Sequence, residues 1–227
     1  MKAMNFQAGE VILIDKPYRW TSFDVVKKLR GALKVKKIGH AGTLDPLATG
    51  LLILCTGKKT KEINHYQAQE KEYEGTLVLG KTTPSVDLET DFDQDYDISH
   101  ISDALITETL PQFIGDIQQV PPIYSAIKVK GKRVYQHARK GEVVALEPRQ
   151  VTVSTFEITD NQFPTLHFRI VCSKGTYIRS LVRDFGEALG AGAYLASLCR
   201  TRIGSFTLKQ AYALPDFIAQ HQVFTQQ

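Results

Sequence analysis

Residues 39–52 read GHAGTLDPLATGLL and surround one carboxylate with small side chains. Glycine permits backbone angles and close approaches that other residues do not, and Gly42 and Gly50 stand on either side of Asp45. Pro46 stiffens the chain directly after the carboxylate. The small side chains predict a floor for a bulky planar substrate. A tight structural turn, in which Asp45 caps a backbone amide, is the alternative for an arbitrary Asp-Pro pair.

The sequence before this stretch predicts a strand and a helix. Residues 10–15 (EVILID) form a short apolar run that is typical of a buried strand. A helix is predicted from Ser22, which is a suitable N-cap residue, with an apolar stripe that includes Phe23 and Val26. Residues 34–50 show neither a helical nor a strand period, so a loop is predicted there.

The sequence after this stretch predicts an α+β fold with a mixed, largely antiparallel central sheet, flanked by helices and loops. Strands and helices do not alternate as in βαβ units, and no internal repeat is visible. An antiparallel pair is expected around residues 161–164. The predicted strands are 51–56, 71–80, 151–160, 165–173 and 196–207, and the predicted helices are 59–68, 101–113 and 176–189.

Charge is distributed unevenly along the 227 residues. Residues 1–82 carry 14 basic and 8 acidic side chains, residues 83–116 carry 9 acidic and no basic ones, and residues 117–227 carry 14 and 7. The chain outside the acidic segment therefore stands at +13, which is the sum of +6 and +7. This excess favours a polyanionic partner such as nucleic acid, although it also serves solubility.

Several other protein classes are excluded by composition. Hydrophobic residues make up 43% of the chain, enough for a proper core. The sequence has no apolar run of membrane-helix length and no signal peptide, so a cytoplasmic location and no membrane contact are expected. Cys55, Cys172 and Cys199 lie far apart without metal-ligand spacing. No metal site is predicted, and the cysteines are expected to sit in strands or core.

The chain resembles the TruB family of tRNA pseudouridine synthases. GHAGTLDPLATGLL resembles the catalytic motif of that family. Four further stretches occur in the family's order and extend the resemblance over about residues 10–207; they are KEYEGTLVLG, QVPPIYSAIK, SKGTYIRSL and LCRTRIGSF. The resemblance implies the pseudouridine synthase fold and isomerisation of the T-loop uridine of tRNA, conventionally position 55. It implies no cofactor and no metal.

The resemblance also assigns catalytic roles. It makes Asp45 the catalytic residue, which attacks the base or the ribose, or removes a ribose proton; the sequence does not choose among these. Tyr73 matches the tyrosine that stacks on the target base, and Arg179 matches the arginine that pairs with the catalytic aspartate. Without the resemblance, Tyr73 could be an ordinary strand aromatic and Arg179 a helix-surface residue.

Further positions match residues that bind the substrate in the family. They are His40, Lys16, Leu198, Gly42 and Thr43. Taken alone, His40 could be a solvated loop histidine, Lys16 a surface charge at a turn and Leu198 simple core.

A basic insertion is expected at about residues 124–150, which the resemblance identifies as a mobile segment that closes over the T-loop. Its candidate RNA-binding residues are Lys128, Lys130, Lys132 and Arg133, although a solvated basic hairpin is the alternative. A second basic region around residues 27–37 is expected to extend the same surface. The predicted catalytic domain is 1–207, followed by a short, partly helical tail at 208–227, too short for a complete PUA-like domain.

The acidic residues 87–97 depart from the family pattern, since Thr90 stands where a glycine is usual. They do not fit a calcium loop, because Tyr96 occupies the position that requires glycine. The expected partner is the T-arm of tRNA, bound by a monomer without an obligatory protein partner. A non-catalytic RNA-binding factor and a guide-RNA-dependent synthase are the competing hypotheses.

Overall fold

A computed structural model describes residues 4–124, 128–129, 132–133 and 146–222, with the backbone alone for 128–129 and 132–133. The chain forms two compact units. The first contains Met1–Tyr73 and Leu198–Gln227, and the second contains Glu74–Ser197.

The described elements confirm the predicted mixture of helices and strands. In chain order they are β1 (Val11–Lys16), α1 (Ser22–Leu33), β2 (Ile38–Ala41), β3 (Ala48–Thr56), a 3-10 helix (Gly57–Glu62), α2 (Ile63–Ala68), β4 (Lys71–Leu79), β5 (Lys81–Thr82), β6 (Gln94–Asp95), α3 (Asp103–Thr109), a 3-10 helix (Leu110–Phe113), β7 (Gly115–Gln119), β8 (Lys128–Val129), β9 (Lys132–Arg133), β10 (Arg149–Gln162), β11 (Thr165–Cys172), α4 (Ile178–Ala188), β12 (Ala193–Ile203), β13 (Phe206–Thr207), a 3-10 helix (Leu208–Gln210), β14 (Tyr212–Ala213) and α5 (Leu214–His221).

In the first unit the strands lie in the order β14-β1-β3-β12, with β2 also paired to β3. β1 and β2 run antiparallel to β3, whereas β12 runs parallel to it. Helices α1 and α5 pack on one face of β1 and β3 through residues such as Leu29, Leu52 and Phe217. Leu51 and Ile53 point to the opposite face. Because both faces of β3 are covered, its sequence is a continuous apolar run rather than an alternating one.

In the second unit the strands follow the order β12-β4-β11-β10-β7. β10 pairs antiparallel with both β11 and β7, and the β10–β11 hairpin matches the predicted antiparallel pair. Aromatic rings fill the space under α4: the ring centroids of Phe156 and Phe185 lie 5.4 Å apart, and those of Phe113 and Phe185 lie 5.8 Å apart. The fold class predicted from the sequence is confirmed.

Three local predictions were wrong. The N-cap of α1 is Thr21, whose hydroxyl accepts from the Asp24 amide at 3.0 Å, while Ser22 is buried. Phe23 is 60% exposed, and Val25 occupies the buried face in its place. The predicted loop at 34–50 also contains β2 and the start of β3, because pairing with β3 orders residues that have no strand period of their own.

The three cysteines lie in strands, as expected: Cys55 in β3, Cys172 in β11 and Cys199 in β12. Cys55 and Cys172 are buried. Burial raises the pKa of the Cys55 thiol to about 11, so this group stays protonated at neutral pH. Among the described residues, no helix is long and apolar enough to cross a membrane.

Candidate active site

Asp45 lies in the short loop that joins β2 to β3, and its side chain is partly buried. The loop leaves β2 at Gly42, whose φ of +91° lies in the region that favours glycine. A turn follows Asp45, in which the Ala48 amide donates to the Asp45 carbonyl at 3.1 Å. The carboxylate is therefore carried by a turn between two strands of the first unit.

Two polar side chains from outside the loop bind its backbone on either side of Asp45. The Ser22 hydroxyl accepts from the Leu44 amide at 2.9 Å and donates to the Leu44 carbonyl at 3.2 Å. The Lys16 ammonium donates to the Pro46 carbonyl at 3.2 Å. Both neighbours of Asp45 are thus held by buried groups from β1 and α1, which restricts where its carboxylate can point.

Lys16 is fully buried, so the surface-charge alternative is wrong for this residue. Its ammonium also donates to the carbonyls of Pro17 at 3.0 Å and Trp20 at 2.5 Å. Burial lowers the pKa of Lys16 to about 8, and the nearby Asp45 carboxylate opposes this shift while Arg200 adds to it. These charges place Lys16, Asp45 and Arg200 in one electrostatic neighbourhood.

Arg200 is a buried cation that was absent from the predicted site residues. It lies in β12 and is 1% exposed. Its Nε donates to the Leu51 carbonyl at 2.8 Å, and its Nη2 donates to the Gly42 carbonyl at 3.1 Å. The available signal was its place in LCRTRIGSF, two residues after Leu198, but sequence could not show that its side chain reaches the Asp45 loop.

His40 occupies the end of β2 and binds the same loop. Its Nε2 forms a hydrogen bond with the Thr43 hydroxyl at 3.0 Å. Burial, with a smaller contribution from Arg200, lowers the pKa of His40, so the neutral ring is favoured at physiological pH. His40 is partly buried and Thr43 is exposed, so the hydrogen bond links the ring to the surface of the loop.

Tyr73 lies in β4 and is 8% exposed. It shares a buried strand face with Lys71, two residues earlier, since side chains alternate along a strand. The Lys71 ammonium donates to the carbonyls of Gln67 and Gln69. The ring of Tyr73 is therefore held in the first unit on a strand whose start is fixed by a buried lysine.

Leu198 is partly exposed, so it is not simple core. It lies directly opposite Ala48 in the parallel pairing of β12 with β3. Ala48 is three residues after Asp45 in the chain. The Thr49 hydroxyl donates to its carbonyl at 3.4 Å. This register brings Leu198 next to the end of the Asp45 loop.

Arg179 lies in the first turn of α4 in the second unit and is 4% exposed, so it is not a helix-surface residue. Its Nη1 donates to the Ser85 carbonyl at 3.0 Å and its Nη2 to the Tyr124 carbonyl at 2.8 Å. Its Nε lies 3.7 Å from Oδ2 of Asp87, which is also buried. Arg179 therefore joins α4 to two loops of its own unit.

The loop that contains Asp87 is built by internal hydrogen bonds. The hydroxyls of Thr83 and Ser85 donate to the Asp87 carbonyl at 2.6 and 3.0 Å. The Thr90 hydroxyl accepts from the Ser85 amide at 3.1 Å, so the residue that departs from the family pattern anchors the loop. Val86 adopts a φ of +65°, which is unusual for a β-branched residue. Residues 91–97 are exposed, as expected for a solvated acidic segment.

The predicted basic region around α1 is exposed to solvent. Two of its lysines, Lys27 and Lys28, line a groove of about 670 Å³ between α1 and α5, together with Arg19 and Trp20. The exposed cations of this region are Lys27, Lys28, Arg30, Lys34, Lys36 and Lys37.

The predicted clamp falls largely outside the described residues. Lys130 lies outside them, and for Lys128, Lys132 and Arg133 the structure describes the backbone alone. These three residues belong to β8 and β9, which pair antiparallel. In the part of the chain that the structure describes, no group of three or more His, Cys, Asp or Glu residues could hold a metal ion.

Two family models together match residues 30–227. The model described as TruB family pseudouridylate synthase (N terminal domain) matches residues 30–178, and the one described as tRNA pseudouridylate synthase B C-terminal domain matches residues 179–227. A tRNA pseudouridine synthase B of Flavobacterium johnsoniae is 54% identical over 218 residues, 93% of this chain and 95% of that protein. The enzyme of the same name from Parabacteroides distasonis is 52% identical over 229 residues, 97% of either chain.

Solved structures also match almost the whole chain. A chain in the crystal structure of a Cbf5-Nop10-Gar1 complex is 30% identical with a TM-score of 0.74, over 94% of this chain and 54% of that one. A chain in an H/ACA RNP bound to a substrate RNA containing 2'-deoxyuridine is 28% identical with a TM-score of 0.70, over 94% and 53%. The chain thus spans about half the length of these solved chains.

Proposed function

Because the chain belongs to the TruB family of pseudouridylate synthases, we propose that it isomerises the T-loop uridine at position 55 of tRNA, with Asp45 as the catalytic residue. Membership of the family makes the protein a tRNA pseudouridine synthase, which is an isomerase. The observation that carries the finer proposal is the Asp45 loop. Its carboxylate stands between two backbone positions held by the buried Ser22 and Lys16.

The reaction needs no net oxidation or reduction. The bond between N1 of uracil and C1' of ribose breaks, the base rotates, and a bond forms between C5 and C1'. The proton on C5 is lost and N1 ends protonated, so the atoms of the nucleotide balance without a co-reactant. Asp45 supports this sequence as an anionic group beside the ribose and base, either as the nucleophile or as the base that removes a ribose proton.

A loop whose backbone is held by several side chains suits a reaction that requires accurate placement of the catalytic group. Misplacing a reacting group by about 1 Å can cost a factor of about 100 in rate. Backbone binding by Ser22 and Lys16 limits such movement of Asp45 before the RNA arrives. This preorganisation supports catalysis by the aspartate better than the alternative of an ordinary structural turn.

Tyr73 and Arg179 complete the proposed catalytic set. A tyrosine that stacks on a flipped-out base can contribute about 1–3 kcal/mol to binding, and β4 holds the Tyr73 ring in a nearly buried position. The ion pairing of Arg179 with the catalytic aspartate stays a prediction. Its burial and its hydrogen bonds to the carbonyls of Ser85 and Tyr124 support a role that a solvated surface arginine would not need.

We propose that the T-arm is bound by a monomer, without protein partner or guide RNA, in the cytoplasm. The exposed cations of α1 and of residues 34–37 support contact with the RNA backbone. The relatives named tRNA pseudouridine synthase B are 52–54% identical over nearly their whole length. The chains from H/ACA and Cbf5 complexes are only 28–30% identical, so the higher identity to the relatives named tRNA pseudouridine synthase B supports the guide-independent enzyme.

The catalytic proposal is tested with purified protein and a T-arm RNA labelled with tritium at C5 of uridine. The wild-type protein alone should release tritium, because the C5 proton is lost when the C-glycoside forms. Asp45→Asn should lower the rate at least about 1,000-fold, since loss of a catalytic residue commonly has effects of that size or larger. Its RNA affinity should be largely retained. Asp91→Asn, which makes the same change in an exposed loop, is the matched control.

Two results would contradict the proposal in different ways. Activity that persists in Asp45→Asn would remove the catalytic assignment. Wild-type protein that binds the RNA without converting it would favour a non-catalytic RNA-binding factor, and a requirement for added guide RNA would favour the other enzyme class. Mass spectrometry of tRNA incubated with and without the protein locates the modified uridine.

A further inference from the structure

One side chain connects the start of the loop that carries Asp45 with the strand that follows the loop. Arg200 donates from Nη2 to the Gly42 carbonyl, where the loop begins, and from Nε to the carbonyl of Leu51, which is the fourth residue of the following strand β3. The two distances are 3.1 and 2.8 Å. Ser22 and Lys16 bind single residues within the loop, whereas Arg200 connects the start of the loop to strand β3.

The backbone beneath this contact is closely fitted. Arg200 lies opposite Gly50 in the parallel pairing of β12 with β3. A Cβ atom added at Gly50 would stand 2.4 Å from the Arg200 carbonyl oxygen and 2.7 Å from its amide nitrogen, and Gly50 has a φ of +98°. Only glycine fits this approach, and the approach fixes the point from which the Arg200 side chain starts.

The contact uses two different nitrogens of one guanidinium. Its planar group presents donors in several fixed directions, so one side chain can reach two separate carbonyls at once. A lysine would bring the same charge on a single nitrogen, so it could not place donors at both the Nε and the Nη2 positions. At 1% exposure, the guanidinium has almost no contact with water, so the carbonyl partners replace part of its hydration.

We propose that Arg200 is a positioning residue for the catalytic carboxylate, bracing the Asp45 loop between Gly42 and Leu51. The proposal rests on the proposed catalytic role of Asp45. Arg200 acts on the reaction through the backbone of the loop, so its loss should affect the chemical step more than RNA binding.

The main test compares Arg200→Lys with wild type in single-turnover reactions on T-arm RNA. The rate at saturating enzyme should fall about 10- to 100-fold, which is the range expected for a misplaced reacting group, while the Kd for the RNA changes by less than about threefold. Hydrogen exchange should rise in the peptide that covers residues 42–51 of the folded variant. Arg202→Lys is the matched control, since Arg202 lies in the same strand but pairs with Glu70 and Glu72 and has 27% side-chain exposure.

A double-mutant cycle provides a second route. Gly42→Ala strains the position at φ +91° and moves the carbonyl that Arg200 binds. If Arg200 acts through that carbonyl, the rate effect of Arg200→Lys combined with Gly42→Ala should be clearly smaller than the product of the separate effects. Multiplicative effects would overturn the proposal.

Other results would overturn it as well. One is an Arg200→Lys variant that reacts at the wild-type single-turnover rate and shows unchanged hydrogen exchange at residues 42–51. The other is a loss of activity that is fully explained by the fraction of the variant that is unfolded. Failure of the proposed function is distinguishable. In that case wild type does not convert the RNA at all, whereas increased exchange at 42–51 in Arg200→Lys would still support the brace.

Discussion

Lys16 shows how a single residue can acquire a role that its sequence position does not reveal. Its ammonium lies in the interior, where the carbonyls of Pro17, Trp20 and Pro46 receive its three N–H groups. Burial disfavours the charged form, and the pKa falls to about 8 as a result. Deprotonation would remove a donor, so the Pro46 end of the Asp45 loop is sensitive to alkaline pH.

The pKa of Lys16 predicts a specific dependence of stability on pH. The unfolded chain keeps the lysine proton up to about pH 10.5, whereas the folded protein releases it from about pH 8. Between these values the unfolded state binds more protons, so the contribution of Lys16 makes the free energy of unfolding rise with pH. Below about pH 8 both states are protonated and this contribution is constant.

The measurement is chemical denaturation of wild type and Lys16→Met at pH 7.5, 9 and 10. The free energy of unfolding of wild type minus that of Lys16→Met should increase as the pH rises. Lys28→Met, which removes an exposed lysine, is the control and should show a difference that is nearly independent of pH. If the difference between wild type and Lys16→Met stays constant or decreases as the pH rises, the pKa of Lys16 is not lowered in the folded protein.

At the scale of the element, two adjacent hydroxyl residues at the start of helix α1 have different roles. The Thr21 hydroxyl caps the helix by accepting from the Asp24 amide, and the Asp24 carboxylate accepts from the Thr21 amide at 2.9 Å. Ser22, the next residue, turns inward to bind Leu44. The sequence favours either residue as the cap, and the packing of the helix against the Asp45 loop decides between them.

Because Thr21 caps the helix and Ser22 binds the loop, Thr21→Ala should lower stability without lowering activity. Loss of the cap should cost about 1 kcal/mol in the free energy of unfolding, since the first turn of α1 loses a partner for its amides. The expected single-turnover rate on T-arm RNA is unchanged, because Thr21 is exposed and does not bind the loop. Urea denaturation and tritium release measure the two quantities.

Thr107→Ala provides the control for the same substitution in the interior of an exposed helix. Its hydroxyl donates to the Asp103 carbonyl one turn earlier in α3, so no helix end depends on it. Its loss should change stability by no more than about 0.5 kcal/mol. A cost for Thr21→Ala no larger than that for Thr107→Ala would argue against the cap.

For the whole molecule, charge is arranged in blocks along the chain. The net +13 outside residues 83–116 includes the exposed cations of α1 and the segment after it. Within the acidic block, Asp87 is buried beside Arg179, whereas residues 91–97 are exposed. The acidic block is therefore partly structural and partly solvated, and the basic regions remain available to an anionic partner.

The proposed RNA surface predicts a change in the salt dependence of binding. Lys27→Gln combined with Lys28→Gln should lower the slope of log K against log salt by roughly 0.7–0.9 for each phosphate contact that is lost. Lys58→Gln combined with Lys61→Gln removes the same charge from exposed positions outside the proposed surface and should leave the slope nearly unchanged. Equal slopes for the two double variants would assign the α1 lysines to solubility alone.

Local patterns in the sequence were sufficient for the fold class, and they singled out the glycine-rich stretch around Asp45. The period of two in β10 and β11, the helical period of α4 and the glycines around Asp45 each arise from neighbours in the chain, where backbone preferences are readable. The family resemblance, carried by five separate motifs, added the reaction and the predicted roles of Asp45, Tyr73 and Arg179.

Tertiary structure alone decided which polar groups are buried and what they bind. In the sequence Lys16 looks like a surface charge at a turn and Arg200 like an ordinary strand residue. Both are interior donors to the Asp45 loop: Lys16 binds a residue 30 positions away along the chain, and Arg200 binds one 158 positions away. Such contacts depend on strand pairing between distant segments, above all the parallel alignment of β12 with β3. No local propensity encodes that alignment, because the free energy that selects it comes from burying both faces of β3 at once.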